Sequence, residues 1–277
     1  MANNLICISD THCGCRTGLC PPQTIHFDYG GYYVPSNFQQ KVWAWWEEFQ
    51  NVWIPTVTRG EPWDLLHNGD AIDGTHHGST TQISQNINDQ VTIAELALGP
   101  LVAACRASGG KYYHVRGTEA HVGKSGEYEE RLAKNLGAEP DAEGHFARYE
   151  LWKRVGDALV HALHHIGTSG SMAYETSAVM NEIAQMYTNA ARWDEEPPDF
   201  VVRGHRHKHI EVRLKTYKGW ATGVVIPSWQ GKTPFAWKVP GARITEPQFG
   251  GVLIRQGDEK FFSDAVVWNI SRSPIEP

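Results

Sequence analysis

Five short stretches, each carrying carboxylates or imidazoles and each following an apolar run, set the terms on which this chain can fold. They are Ser9-Asp10-Thr11-His12, Asn68-Gly69-Asp70, Arg116-Gly117-Thr118-Glu119-Ala120-His121, His164-His165 and Gly204-His205-Arg206-His207. The apolar runs before them, over 5–9, 63–67, 111–115, 157–164 and 199–203, have the length and composition of buried strands. Polar side chains at the ends of separate strands meet only if the carboxyl ends of those strands open on one crevice.

Helices fall between the early strands. Over 37–54, Phe38, Val42, Trp45, Phe49 and Val52 recur at spacings of three and four, so the pattern predicts an amphipathic helix capped by Ser36 or Asn37. A second helix is expected over 81–107, bent at Gly99-Pro100 because proline removes a backbone donor. Shorter ones follow over 126–136, closed by Gly137, and over 174–192. The second half is richer in strands, at 145–152, 157–164, 199–203, 209–216, 220–226, 250–256 and 261–270. Residues 13–36 read as a long loop, and Pro234, Pro240 and Pro247 mark an irregular segment over 227–249. The expected class is α/β, with two facing mixed sheets, helices outside and one unit over 1–277.

Carboxylates and neutral imidazoles are the ligands of manganese, iron or zinc, and two cations about 3.5–4 Å apart clamp the oxygens of a phosphoryl displacement. In order and content the motifs resemble the calcineurin-like metallophosphoesterase superfamily, whose pattern is Asp-x-His, Gly-Asp, Gly-Asn-His-Asp/Glu, a lone His, then Gly-His-x-His. The resemblance covers residues 5 to 207. It implies a four-layered α/β/β/α sandwich with a dinuclear metal site in the crevice. It also implies that Asp10, His12, Asp70 and His207 surround one ion while Asp70, His164 and His205 hold the other, Asp70 bridging. The cofactors it implies are two divalent ions, manganese foremost, with iron, zinc or nickel as alternatives.

The third block departs from the family pattern, reading Gly117-Thr118-Glu119-Ala120-His121. Glu119 is the expected replacement ligand and Thr118 the alternative. His121, two residues late, is the expected general acid or orienting donor on the leaving oxygen, and Asp70 the carboxylate beside the attacking hydroxide that bridges the metals. Strand alternation puts His164 and His165 on opposite faces; His164 is preferred because the family ligand sits directly after that strand. Arg116, His76 and His77 are the expected substrate contacts, with Arg206 pointing away from the metals.

A formal charge of −6 argues against a broad basic face for non-specific duplex binding, although metals can themselves attract a phosphate. No apolar run approaches the ~20 residues that span a bilayer, and Met1-Ala2-Asn3-Asn4 lacks a charged leader region, so no membrane partner and a cytoplasmic home are expected. Cys7, Cys13, Cys15, Cys20 and Cys105 make an odd count that suits free thiols better than a disulfide framework. A zinc knuckle on Cys13, Cys15 and Cys20 would still need a fourth ligand. The expected activity is hydrolysis of a phosphate ester, a phosphodiester such as a nucleotide or nucleic acid before a monoester. A non-catalytic metal-binding scaffold is the alternative from another class.

Overall fold

Strand β1 (Asn4–Ile8) is buried along its whole length, and its alternation divides two cores. Leu5 and Cys7 face one apolar cluster, Ile6 and Ile8 another. A strand apolar on both sides belongs inside a sheet covered on both faces. The computed structural model describes residues 2–76, 78–167, 172–239, 245–257 and 261–271.

The elements that follow β1 are β2 (Ile25–His26), β3 (Tyr32–Tyr33), α1 (Asn37–Glu48), α2 (Ile54–Thr58), β4 (Trp63–Asn68), α3 (Ile87–Ala107), β5 (Tyr112–Val115), α4 (Glu119–Val122) and α5 (Glu127–Asn135). The second half contributes β6 (Ala147–Arg148), β7 (Leu151–Val155), β8 (Ala158–Ala162), α6 (Ser177–Trp193), β9 (Phe200–Arg203), β10 (Ile210–Thr216), β11 (Gly219–Val225), β12 (Gln248–Gln256) and β13 (Phe261–Asn269).

Six strands form one sheet in the order β13-β12-β1-β4-β5-β6, and five form a second in the order β10-β11-β9-β8-β7. Both are mixed: β1, β4, β5 and β6 run parallel, with β12 antiparallel to β1 and β13 antiparallel to β12 at one edge, while β8, β9 and β11 run parallel between antiparallel β7 and β10. Leu5, Cys7, Leu66, Val252 and Ile254 of the first sheet pack with Val160, Ala162, Phe200, Val202 and Val224 of the second. Behind the first sheet lie α1, α3 and α5, through Val42, Trp46, Leu98, Leu101 and Leu132. Behind the second lies α6, through Val179 and Ile183. The layers are therefore helix, sheet, sheet, helix.

Local differences from the expected elements have identifiable causes. Ser36 is the cap of α1, in a capping box with Gln39. The expected single helix over 37–54 is α1 followed by a π-helical turn, Phe49–Trp53, and then α2, which has Pro55 in its first turn. Helix α3 starts only after Asn86, whose side chain accepts from Asn88 N, and it runs through Pro100. At 21 residues and mean hydropathy 1.2, α3 is long and apolar enough by composition to span a bilayer, against the expectation of no such run; here half of it is buried against the sheet and α5. Within the expected loop over 13–36, β2 and β3 pair, and Cys13, Leu19, Cys20 and Ile25 join Trp229 in the core on the helix side of the first sheet. Trp229 is fully buried, edge-on to Trp46 at 4.7 Å between ring centroids. Phe235 and Trp237, further along the same segment, are exposed.

Candidate metal centre

The ends of β1, β4, β8 and β9 lie together, joined by backbone hydrogen bonds. Asp10 N donates to Gly69 O at 2.9 Å, His12 N to Asp70 O at 3.0 Å and Gly204 N to His164 O at 2.9 Å. Their packing leaves no room for a side chain at Gly204, where a Cβ would stand 2.4 Å from Ser9 Oγ. Asp10, His12, Asp70, His205 and His207 all have left-handed backbone, with φ of 54°, 41°, 55°, 69° and 52°. The other two left-handed non-glycine residues among those described, Arg59 and Asp194, simply end helices. Such backbone costs on the order of 1 kcal/mol per residue and gathers where function requires it.

Asp10, His12 and His207 form one group of ligand-type side chains, with one donor atom from each within 4.8 Å of the others. Asp10 Oδ2 is occupied: Ser9 Oγ lies 2.5 Å away, and His205 N donates to it at 3.0 Å. Asp10 Oδ1 is buried without a hydrogen-bond partner. It stands 3.2 Å from His207 Nε2, 3.8 Å from His12 Nε2 and 3.9 Å from His164 Nε2. An orphaned carboxylate oxygen among imidazole nitrogens has the donor set that a divalent cation takes.

Asp70, His164 and His205 form the second group. His164 Nδ1 lies 2.6 Å from Asn68 O, which can only accept, so Nδ1 carries a proton and Nε2 is turned to Asp70 Oδ2 at 3.1 Å. Asp70 Oδ2 also lies 4.0 Å from His12 Nε2, which places this oxygen between the two groups. Thr118 completes the second group's surroundings: its N donates to Asp70 Oδ1 at 2.6 Å and its hydroxyl to Asp70 Oδ2 at 3.1 Å. The same hydroxyl is 3.4 Å from His164 Nε2 and 3.3 Å from His205 Nδ1.

Glu119, the expected replacement ligand, is not brought to either group. It opens α4 with its side chain exposed, while Thr118, the residue before the helix, faces the cluster. Arg116 is likewise committed elsewhere. Its guanidinium donates to Ala147 O at 2.6 Å and Ser125 O at 3.3 Å and pairs with Glu130, because its side chain leaves β5 toward β6 and α5. His165 is exposed at the rim, its ring 5.3 Å from that of His205, whereas His164 is buried. Arg206 donates to Glu175 O and Gly167 O. His77 lies outside the described residues. Cys13, Cys15 and Cys20 are buried free thiols and join no ligand group among the described residues.

Sequence reasoning missed Asp73. It is buried, and its Oδ1 lies 3.5 Å from His12 Nδ1, behind the nitrogen that faces the site. Gln82 and Gln230 donate to its two oxygens at 2.9 and 3.2 Å. His121 Nδ1 lies 2.6 Å from Asp73 O, and the His121 ring stands between those of His12 and His76, at 4.5 and 4.4 Å. The position of Asp73 three residues after Asp70 was the available signal; what it touches depends on loops that meet only in the folded chain.

Burial opposes charge throughout the cluster, yet the charges remain. Asp10 and Asp70 are held well below the usual carboxylate range by the surrounding imidazoles, His164 first. Burial would lower His164, but Asp70 and Asp10 push it up to about 10. His12 is raised well above its ordinary value despite burial, by the Asp10, Asp73 and Asp70 carboxylates around it. Burial and the charge on His164 bring His205 down to about 4, and burial lowers His121. The two carboxylates thus demand positive charge at the points where Asp10 Oδ1 and Asp70 Oδ2 are aimed.

No protein-family model matches the chain, and no curated protein does. Solved structures similar to it include Vacuolar Protein Sorting 29 from Cryptosporidium parvum, 13% identical, covering 97% of this chain and 98% of that one at a TM-score of 0.34. A Thermotoga maritima protein solved by NMR is 9% identical, with coverage of 96% and 100% and a TM-score of 0.38. The sulfate thiohydrolase SoxB of Thermus thermophilus, in complex with glycerol, is 13% identical at a TM-score of 0.41, and the match spans 96% of this chain but 56% of that one. Likenesses this distant leave the reading of the site to its own geometry.

Proposed function

We propose that this chain is a metal-dependent phosphoesterase acting on a phosphodiester, with nucleotides or nucleic-acid ends as the substrate class. Asp10, His12 and His207 would hold one divalent cation and Asp70, His164 and His205 a second, with Asp70 Oδ2 shared. The observation that carries this reading is the buried, unpartnered Asp10 Oδ1 beside two Nε2 atoms that lie 3.3 Å apart. Mixed carboxylate and imidazole donors suit manganese foremost, then iron, zinc or nickel. When bound, such a pair polarises phosphoryl oxygens and lowers the pKa of water toward neutrality.

The chain's own residues supply position and proton control. Thr118 fixes the Asp70 carboxylate from both its backbone and its hydroxyl. His121, anchored through Nδ1 to the Asp73 carbonyl and lowered by burial, is neutral at neutral pH and presents Nε2 as an acceptor. There it steadies a hydroxyl of the substrate, and it delivers a proton to a departing oxygen only after taking one up at Nε2. His76, its ring against that of His121, lies on the same side and remains the candidate for a substrate contact.

A diester is favoured because Arg116, Arg206 and Lys208 near the motifs are engaged, which leaves the exposed Lys124. Arg116 and Arg206 bind backbone carbonyls, and Lys208 Nζ lies 2.6 Å from Glu175 Oε2. The second negative charge of a monoester would find little to meet it.

The test is hydrolysis of bis(p-nitrophenyl) phosphate and p-nitrophenyl phosphate by metal-stripped protein refilled with Mn²⁺, beside Asp70→Asn. Diester cleavage that falls on the order of 10²–10³-fold in the folded variant supports the proposal. Monoester cleavage alone would move the substrate class. Silence on both esters with two ions bound would favour a scaffold, and full activity in Asp70→Asn would overturn the site.

A further inference from the structure

Glu129, on α5, has no exposed surface, and both its carboxylate oxygens accept backbone hydrogen bonds. Oε1 takes the N–H of Ala71 and Oε2 that of Gly117, each at 2.7 Å. Ala71 follows Asp70, and Gly117 precedes Thr118. One side chain therefore ties together the two loops that leave β4 and β5.

These loops are in close contact. A Cβ at Gly117 would fall 2.1 Å from Asp70 Oδ1, and Thr118 N donates to that oxygen at 2.6 Å. The Asp70 carboxylate is seated on the backbone that Glu129 holds, so a shift of either loop re-aims Asp70 Oδ2. The arm of Glu129 is itself packed from behind. His114 Nε2 lies 3.5 Å from its Oε2, Tyr112 OH lies 2.7 Å from His114 Nδ1, and the His67 ring stacks on His114 at 4.9 Å.

Burying a carboxylate is costly, and a role confined to filling space would be met by an apolar residue. Two N–H groups aimed at two oxygens are a more specific demand: a glutamine offers one acceptor oxygen and turns its NH2 against the other donor. We propose that Glu129 is the positioning residue of the second cation subsite, setting the separation of the Asp70 and Thr118 loops and through it the aim of Asp70 Oδ2. The inference rests on the dinuclear reading above and concerns a residue outside the ligand set.

A matched control lies one residue away. Glu130, on the same helix, accepts from Phe146 N and Ala147 N at 2.9 Å each, so it clamps the start of β6 rather than a ligand loop. The experiment is Mn²⁺ titration by calorimetry, with low-temperature EPR and thermal denaturation, on wild type, E129Q and E130Q. Wild type is expected to bind two ions with an exchange-coupled spectrum. E129Q should bind the second ion about tenfold or more weakly and show isolated Mn²⁺, the size of effect typical for groups that orient ligands. E130Q should lose thermal stability while keeping both affinities and the coupled spectrum. If E129Q does not fold, E129D is read in the same way, since it keeps both acceptor oxygens on an arm one methylene shorter. Unchanged affinities and coupling at position 129, with two ions in wild type, overturn this inference alone. Failure of wild type to bind a pair of ions overturns the dinuclear reading and this inference with it.

Discussion

His12 and His207 bring their Nε2 atoms to 3.3 Å, with Asp10 Oδ1 3.8 and 3.2 Å from them. Two bare imidazole lone pairs at that distance repel, and the Asp10, Asp73 and Asp70 carboxylates raise His12 well above its ordinary value despite burial, so in the metal-free protein His12 carries a proton here near neutral pH. A cation entering the first group must displace that proton. Mn²⁺ binding should therefore release protons near neutral pH, and affinity should rise with pH. Calorimetry in buffers of different ionisation enthalpy measures the release; a buffer-independent heat would contradict it.

The metal-free protein should lose stability toward alkali as well as toward acid. His164 rises on folding from 6.5 to about 10, so its contribution is complete below pH 6.5 and is lost as pH climbs through about 10. Asp10 and Asp70 are depressed on folding, so theirs is present above the usual carboxylate range and is lost in acid. The Tm of chelator-treated protein should fall from neutrality toward pH 10, and Mn²⁺ should flatten that fall. A Tm of the stripped protein that held level over this range would count against the assignment.

Asp73→Asn should weaken the first ion about 10–100-fold, because the group behind His12 Nδ1 fixes which nitrogen faces the site. Equilibrium dialysis against Mn²⁺ reads this directly. An affinity equal to wild type would mean that Asp73 serves only to join Gln82 and Gln230.

Positions 118 and 119 should separate cleanly. Glu119→Gln, at an exposed helix start, is expected to leave metal affinity within about twofold, as surface substitutions do. Thr118→Ala removes the hydroxyl on Asp70 Oδ2 and should weaken the second ion, at about 1 kcal/mol for one buried hydrogen bond. The reverse order of effects would restore Glu119 as a ligand.

Much of this arrangement is legible in the chain because ligand chemistry and strand chemistry leave local marks. Leu5 to Ile8 alternate between two apolar cores, and the polar letters begin at Ser9 and Asp10. The alternation of His164 and His165 separates the buried ring from the rim ring. What escaped the sequence reading is decided at a distance. Asp73 meets Gln230 across 157 positions, and Glu129 reaches back 58 positions to Ala71. Glu119 stands outside both groups because the helical turn that starts at that residue sends its side chain to solvent, and nothing before Thr118 announces that turn. Arg116 sits beside a motif in sequence, but its side chain leaves the strand toward Ala147 and Glu130.

The five left-handed residues of the candidate site have a consequence for how this chain can vary. Glycine at Asp10, His12, Asp70, His205 or His207 would relax the backbone and delete the side chain; a branched or bulky residue would lose both. Aspartate, asparagine and histidine are the side-chain-bearing residues that enter this conformation most readily. On the proposed dinuclear reading the same few residue types satisfy both the turn and an ion, so drift at any of these positions is closed from two directions at once.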